Sequence, residues 1–178
     1  MVSSEPDAWL IQGVKDPQLV QPDWEPSHPV PIAGVRIKSI NNVLSDNGCL
    51  TEIYRRDWAL DGLPVAQVFQ KLLAPGMVSA WHAHRHTTDR LFIGGGQAKI
   101  VLYDGRATSP TAGALAEYRF GVERPALLVV PPGIWHGVKA LNGQPALIIN
   151  LVDRAYAYQD PDHWRLPADS PDIPYRIL

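Results

Sequence analysis

The chain has 178 residues, 46% of them hydrophobic and 19% charged, with a formal net charge of -2. Those values fit a single globular domain with a sizeable core and leave no basic footprint for nucleic acid. One cysteine excludes an internal disulfide framework, and the longest apolar runs, PALLVV and PALIINLV, are too short to span a bilayer.

In chain order, MVSSEPDAWLIQGV has no basic segment followed by an apolar run, so no signal peptide is expected. With a lone Cys49, expected as a buried structural thiol, a cytoplasmic location is the economical expectation. Residues 1–33 read as an N-terminal arm, with Trp9 and Trp24 as apolar anchors and PSHPVP as an extended proline run. From Gly34 to residue 178 the pattern is that of one β domain. GVRIKSI alternates apolar and charged residues, and LTEIYRR (50–56) and VAQVFQKLL (65–73) look similar. VSAWHAH, DRLFIGG, QAKIVLYDG, ALAEYRFG, PALLVVPP, HGVKAL and PALIINLV follow, separated by turn residues such as PG at 75, GGG at 94 and PPG at 131. The 17 prolines and 14 glycines argue against long helices. Short strands at near-regular spacing predict an all-β sandwich or barrel. The tail YQDPDHWRLPADSPDIPYRIL is expected to wrap over the barrel as turns or a short helix.

The chemistry concentrates in WHAHRHTTDR, residues 81–90. His82 and His84 are two apart, so on a strand their imidazoles share a face. Pro131, Gly133 and His136 form a turn that starts another strand and can deliver a third imidazole to the same cavity. His82, His84, Asp89 and His136 then make a set of three nitrogens and one carboxylate, suited to a divalent transition metal. By the same alternation Trp81 and Trp135 face away from their neighbouring histidines. His86 reads as loop surface, and His28 and His163 as solvated.

The spacing of Gly76, His82, His84, Asp89 and Gly96 is similar to the first cupin motif, with Asp89 where glutamate is usual. Pro131, Gly133 and His136 are similar to the core of the second, although Pro125 replaces its glycine and Ala140 its asparagine. The resemblance implies a cupin-type jelly-roll barrel. DNGCLTEIYR, QVF, WHAHRHTTDRLF, IVLYDGRATSPT, VVPPGIWHG and DPDHWRLPADSPDIPY, taken in order, resemble the dTDP-4-dehydrorhamnose 3,5-epimerase family of nucleotide-sugar epimerases.

That resemblance implies a metal-free homodimer acting on a nucleotide-linked 4-keto-6-deoxy sugar. A histidine base removes a proton beside the ketone, a cation stabilises the enolate and a tyrosine reprotonates the carbon. Position by position, it implies His82 as base, Asp169 as its orienting carboxylate and Arg90, where the family commonly has lysine, as the cation. Tyr156 and Tyr158 both match the acid. Glu52 and Gln67 match nucleotide-holding positions, and His84 and His136 would shape the sugar pocket. Two family arginines are absent, with Asn47 and Ser79 in their places. A sugar 3,4-ketoisomerase of the same fold, a metal cupin and a non-catalytic sugar-binding protein are the alternatives.

Overall fold

Strand-length stretches of alternating side chains, cut by turns, give the chain twelve strands among the residues that the computed structural model describes, 13–22, 24 and 31–177. They are β1 (Arg36–Ser39), β2 (Asn42–Ser45), β3 (Gly48–Thr51), β4 (Gln67–Leu73), β5 (Val78–Ala83) and β6 (Asp89–Gly95), then β7 (Gln97–Asp104), β8 (Leu115–Gly121), β9 (Ala126–Val130), β10 (Ile134–Ala140), β11 (Ala146–Val152) and β12 (Trp164–Arg165). The one helical turn among these residues is a 3-10 turn at Arg56–Trp58. No helix among them is long and apolar enough to cross a membrane.

The strands form two five-stranded antiparallel sheets, β1-β9-β6-β11-β4 and β12-β5-β10-β7-β8, with β2 and β3 as a separate hairpin. Two sheets face to face, joined by crossovers, make the jelly roll. Leu91, Ile93, Ile100, Leu102, Leu128 and Ile148 pack between them. Gly96 closes the turn between β6 and β7 at φ +65°, where a Cβ would lie 2.1 Å from the Pro145 carbonyl oxygen, so only glycine fits.

Each sheet also carries apolar side chains on its outer face. Outside the first, Phe92, Leu127 and Leu151 are covered by Ile53, Tyr54, Trp58 and neighbours. This explains why LTEIYRR is a strand only at Leu50 and Thr51: its later apolar residues cover a sheet instead of joining one. Outside the second, Trp81 and Val101 are covered by Ile173 and Ile177 of the tail. Each tail isoleucine contributes about 1.5–3 kcal/mol by burial, which fastens a proline-broken segment that contains no helix.

Two expectations are corrected. Cys49 is exposed on β3. Trp24 is 82% exposed, so it anchors nothing, whereas Ile32 at the end of the expected arm is buried in the inter-sheet core. The readings of Trp9, His28 and most of PSHPVP fall on residues 1–12, 23 and 25–30, outside the described residues.

Candidate active site

One end of the space between the sheets is open, forming a cavity of about 460 Å³, within the size range of small-ligand sites. β4 contributes Gln67, Phe69 and Lys71; β5 contributes Ser79 and His82; β6 contributes Asp89 and Leu91; β10 contributes His136. His84, just beyond β5, and Tyr156, Asp162 and His163 of the tail complete the wall. Leu91, Val138 and Ile148 form the apolar floor and belong to the core itself.

His82 sits opposite His136 across β5 and β10. Its Nε2 lies 2.9 Å from Ser79 Oγ, and Lys71 Nζ donates to that hydroxyl at 2.7 Å. Strict alternation would turn Ser79 away from His82, three residues on. The pairing of β5 with β10 slips here: His136 opposes His82 while Val138 opposes Ser79, so three steps on β5 face two on β10. This bulge turns Ser79 back into the cavity. His82 Nδ1 is buried and has no hydrogen-bond partner among the described residues. Burial, with repulsion from the protonated forms of His136 and His163 and from Arg165 and Lys71, pushes its pKa down to about 3, so the ring is neutral near pH 7.

His84 is held differently. Its Nδ1 donates to the backbone carbonyl of Asp162, and its Nε2 lies 3.2 Å from Asp89 Oδ2. A carboxylate at that distance favours the charged, doubly protonated ring. Burial opposes that charge, but Asp89 outweighs burial and raises the His84 pKa. Asp89 is 1% exposed, lies 3.4 Å from His136 Nε2 and accepts from Asn150 Nδ2 at 2.7 Å. Burial favours its neutral acid, yet His84, His136 and Asn150 prevail and hold its pKa low. His136 is pushed down by burial against the pull of Asp89 and stays neutral.

The tail supplies parts of the wall that alternation cannot reveal. β12 pairs with β5, setting Arg165 opposite His82. The Asp162 carboxylate accepts from the backbone N–H groups of Arg85, His86 and Thr87 and from the Thr87 hydroxyl. His163 thereby comes to 5.5 Å from the His82 ring and 5.1 Å from the His84 ring, centroid to centroid. It is a pocket residue and not a purely solvated one, and exposed His86 also lines the cavity rim. The only local signals were the DPDHW turn and the single amide, Asn150, within the apolar strand ALIINLV.

Arg90 is not at the cavity. It is 0% exposed and points to the outer face of β6, where Nε and Nη2 meet the Asp61 carboxylate at 2.7 and 2.8 Å and the Pro64 and Leu63 carbonyls accept from its other N–H groups. Asp89 takes the inward position, so strand alternation excludes its neighbour. Asp169 does not orient His82 either. It is exposed in the tail, which after Arg165 crosses the outer face of the second sheet, behind Trp81. Glu52 is exposed, 3.4 Å from Arg55 Nη1, and does not line the cavity. Tyr156 lines it, and its backbone N–H donates to Gln67 Oε1 at 2.8 Å. Tyr158 packs edge-on against Tyr156, 81% exposed and outside the lining. Asn47 lies in the β2–β3 turn.

Ligand atoms of His84, Asp89 and His136 all lie within 4.8 Å of one another, a set able to hold a divalent cation. His82 is not part of that group.

No protein-family model matches the chain. It is 32% identical over 139 residues to the probable low-salt glycan biosynthesis epimerase Agl13 of Haloferax volcanii, covering 78% of this chain and 89% of that protein. Among solved structures it is similar to a dTDP sugar isomerase from Desulfovibrio desulfuricans G20, at 29% identity and a TM-score of 0.76, over 81% of this chain and 90% of that one. It shares its fold with the dTDP-4-dehydrorhamnose 3,5-epimerase of Bacillus anthracis str. Ames, at 18% identity and a TM-score of 0.71, over 80% and 83% of the two chains.

Proposed function

The chain belongs to the dTDP-4-dehydrorhamnose 3,5-epimerase family of nucleotide-sugar epimerases, and from that membership we propose that it epimerises a nucleotide-linked 4-keto-6-deoxy sugar at C3, C5 or both. The observation that carries this reading is His82: a neutral imidazole whose Nε2 opens on a sugar-sized cavity that also contains a tyrosine, Tyr156.

The 4-keto group acidifies the hydrogens on its two neighbouring carbons. His82 Nε2 takes one of these protons; the C–H electron pair forms a C=C bond, and the carbonyl π pair moves onto oxygen as an enolate. Tyr156 returns a proton to the carbon from the other face. His82 ends protonated and Tyr156 deprotonated, and exchange with solvent resets both. His84, Asp89 and His136 shape the pocket wall that receives the sugar. Arg154 and Arg165, both on the rim, suit the diphosphate in place of the arginines replaced at Asn47 and Ser79. The reaction needs no metal in this scheme.

Two further elements of the reading concern the setting. β4 is the edge of its sheet, with Val68 and Leu72 exposed, and the β2–β3 hairpin exposes Val43, Leu44 and Leu50. An open edge beside apolar surface suits pairing with a second copy, so the enzyme acts as a homodimer. An exposed lone thiol suits the reducing cytoplasm.

Incubation with a dTDP-4-keto-6-deoxyhexose in deuterated water tests the activity. Deuterium at C3 or C5 supports epimerisation. Migration of the carbonyl to C3 supports a 3,4-ketoisomerase, which the second imidazole of His163 beside His82 favours as the alternative. Binding without either outcome, across several nucleotide sugars, supports a non-catalytic sugar-binding protein. A stoichiometric divalent metal whose removal abolishes turnover would assign His84, Asp89 and His136 as its ligands and overturn the metal-free scheme.

A further inference from the structure

Proton abstraction beside a ketone needs a cation at the oxygen that becomes the enolate, and Arg90 is locked on the wrong face of β6 by Asp61. The cavity has three other Lys or Arg side chains on its lining: Lys71, Arg154 and Arg165. Of these, Lys71 is tied to the base. It projects from β4 of one sheet across the cavity mouth to Ser79 on β5 of the other, and Ser79 in turn contacts His82 Nε2.

The contact between Lys71 and Ser79 has a fixed direction. An ammonium only donates, so Ser79 Oγ accepts from Lys71. The single hydroxyl hydrogen of Ser79 is then free to point at Nε2. A base acting through Nε2 has that atom unprotonated, with the ring proton on Nδ1, and in this tautomer the Ser79 hydroxyl donates to it. The ammonium stands two hydrogen bonds from the atom that takes the substrate proton. In a ketone, the oxygen lies two covalent bonds from the carbon that loses its proton, and reacting groups approach to about 3–3.5 Å. A carbon seated on Nε2 thus carries its carbonyl oxygen into reach of Lys71 Nζ. Ser79, with its short side chain, leaves that volume open where a longer residue would fill it.

We propose that Lys71 is the catalytic cation of this enzyme, held next to His82 by the Ser79 hydroxyl in the free state and transferred to the substrate carbonyl oxygen as the enolate forms. This rests on the epimerase reading above. Ser79 is a positioning residue: its hydroxyl holds the free ammonium beside His82 Nε2 and takes no part in the proton transfer. The bulge in β5 makes the arrangement available, because it brings Ser79 and His82 to the same face.

The test measures deuterium wash-in from deuterated water into a dTDP-4-keto-6-deoxyhexose by wild-type, Lys71→Met, Lys71→Arg and Ser79→Ala proteins. Lys71 is exposed, so its variants should fold, and thermal unfolding checks that they do. Lys71→Met should lower kcat for exchange by roughly 10²- to 10³-fold, the size of effect seen when an oxyanion donor is removed, with KM little changed. Lys71→Arg should recover part of that loss, and an added small alkylamine should partly rescue Lys71→Met. Ser79→Ala should lower kcat less than Lys71→Met does and should move the acid limb of kcat/KM to higher pH, because the hydroxyl no longer donates to Nε2. A Lys71→Met protein with the wild-type kcat and only a raised KM would overturn the proposal, showing that Lys71 merely grips the substrate. Wild-type protein that exchanges no deuterium with any nucleotide sugar would instead overturn the epimerase reading, and this role for Lys71 with it.

Discussion

Arg90 and Asp61 form a two-pronged ion pair, Nε to Oδ2 at 2.7 Å and Nη2 to Oδ1 at 2.8 Å, on the face of β6 opposite Asp89. Asp61 belongs to the loop before β4, so the pair fastens that loop across the outside of the first sheet. A guanidinium that is 0% exposed depends on its partner. Removing one member of such a pair leaves an uncompensated buried charge.

Asp61→Ala should therefore lower the free energy of unfolding by about 3–5 kcal/mol, measured by urea titration. Exchange per folded molecule should be unaffected, because neither residue touches the cavity. Burial resists ionisation of Asp61, but its bonds to Arg90 outweigh that and lower its pKa. Its contribution is accordingly complete above the ordinary carboxylate value of 3.8 and is lost as pH falls through the lowered one. A loss below about 1 kcal/mol, in the range of surface pairs, would show that the pair gives no net stability.

The pH dependence of catalysis separates His82 from the other imidazoles. A base acts in its unprotonated form, and His82 has a pKa pushed down to about 3 against an ordinary 6.5. The acid limb of kcat/KM should lie well below 6.5, because kcat/KM reports groups of the free enzyme. An acid limb at or above 6.5 would move the base role to an imidazole with an unlowered pKa. The same depression makes His82 a cost in acid. The unfolded chain takes up its proton first, so this residue's contribution to stability falls as pH drops from 6.5 toward about 3.

The two tyrosines should separate cleanly. Tyr156→Phe should reduce epimerisation by about 10²-fold or more, the range for a lost general acid. Tyr158→Phe should match wild type, since Tyr158 is 81% exposed and outside the cavity. Product analysis by NMR checks both. Equal loss in the two variants would mean that the Tyr156 hydroxyl is not the specific proton source.

Asp162→Ala tests the tail. The variant loses an acceptor for three backbone N–H groups and the Thr87 hydroxyl. Stability should fall by about 1–3 kcal/mol, and amide exchange at 85–87 should accelerate. Epimerisation should weaken as His84 and His163 lose their support. Burial opposes the Asp162 charge, but the backbone and Thr87 bonds prevail and bring its pKa to about 2. The clamp is thus fully present above 3.8 and opens as pH falls through about 2. Unchanged amide exchange would show that the loop holds its shape without it.

Much of the fold was readable in advance because a half-buried strand has a period of two, and turns demand proline, glycine and asparagine. His82 and His84 could be assigned to one face for that reason, and Trp81 to the opposite one. Arg90 could not. It stands one residue from Asp89, and a step of one along a strand exchanges the faces of a sheet. Matching it to a family lysine fixes its place along the strand but not the direction in which it points. Ser79 shows the converse. Alternation sends it outward, and the bulge opposite His136 and Val138 returns it to the cavity.

The sequence by itself determined the all-β architecture, the family and the face shared by His82 and His84, since these follow from local periodicity and from motifs read in order. Tertiary structure alone decided which charges surround the base. Asp61 captured Arg90, the tail folded back to bring Asp162 and His163 to the cavity while carrying Asp169 past it, and the β5 bulge aligned Lys71, Ser79 and His82. Each of those contacts joins segments far apart in the chain or depends on a register slip between two strands. Such long-range packing leaves no periodic trace in either segment.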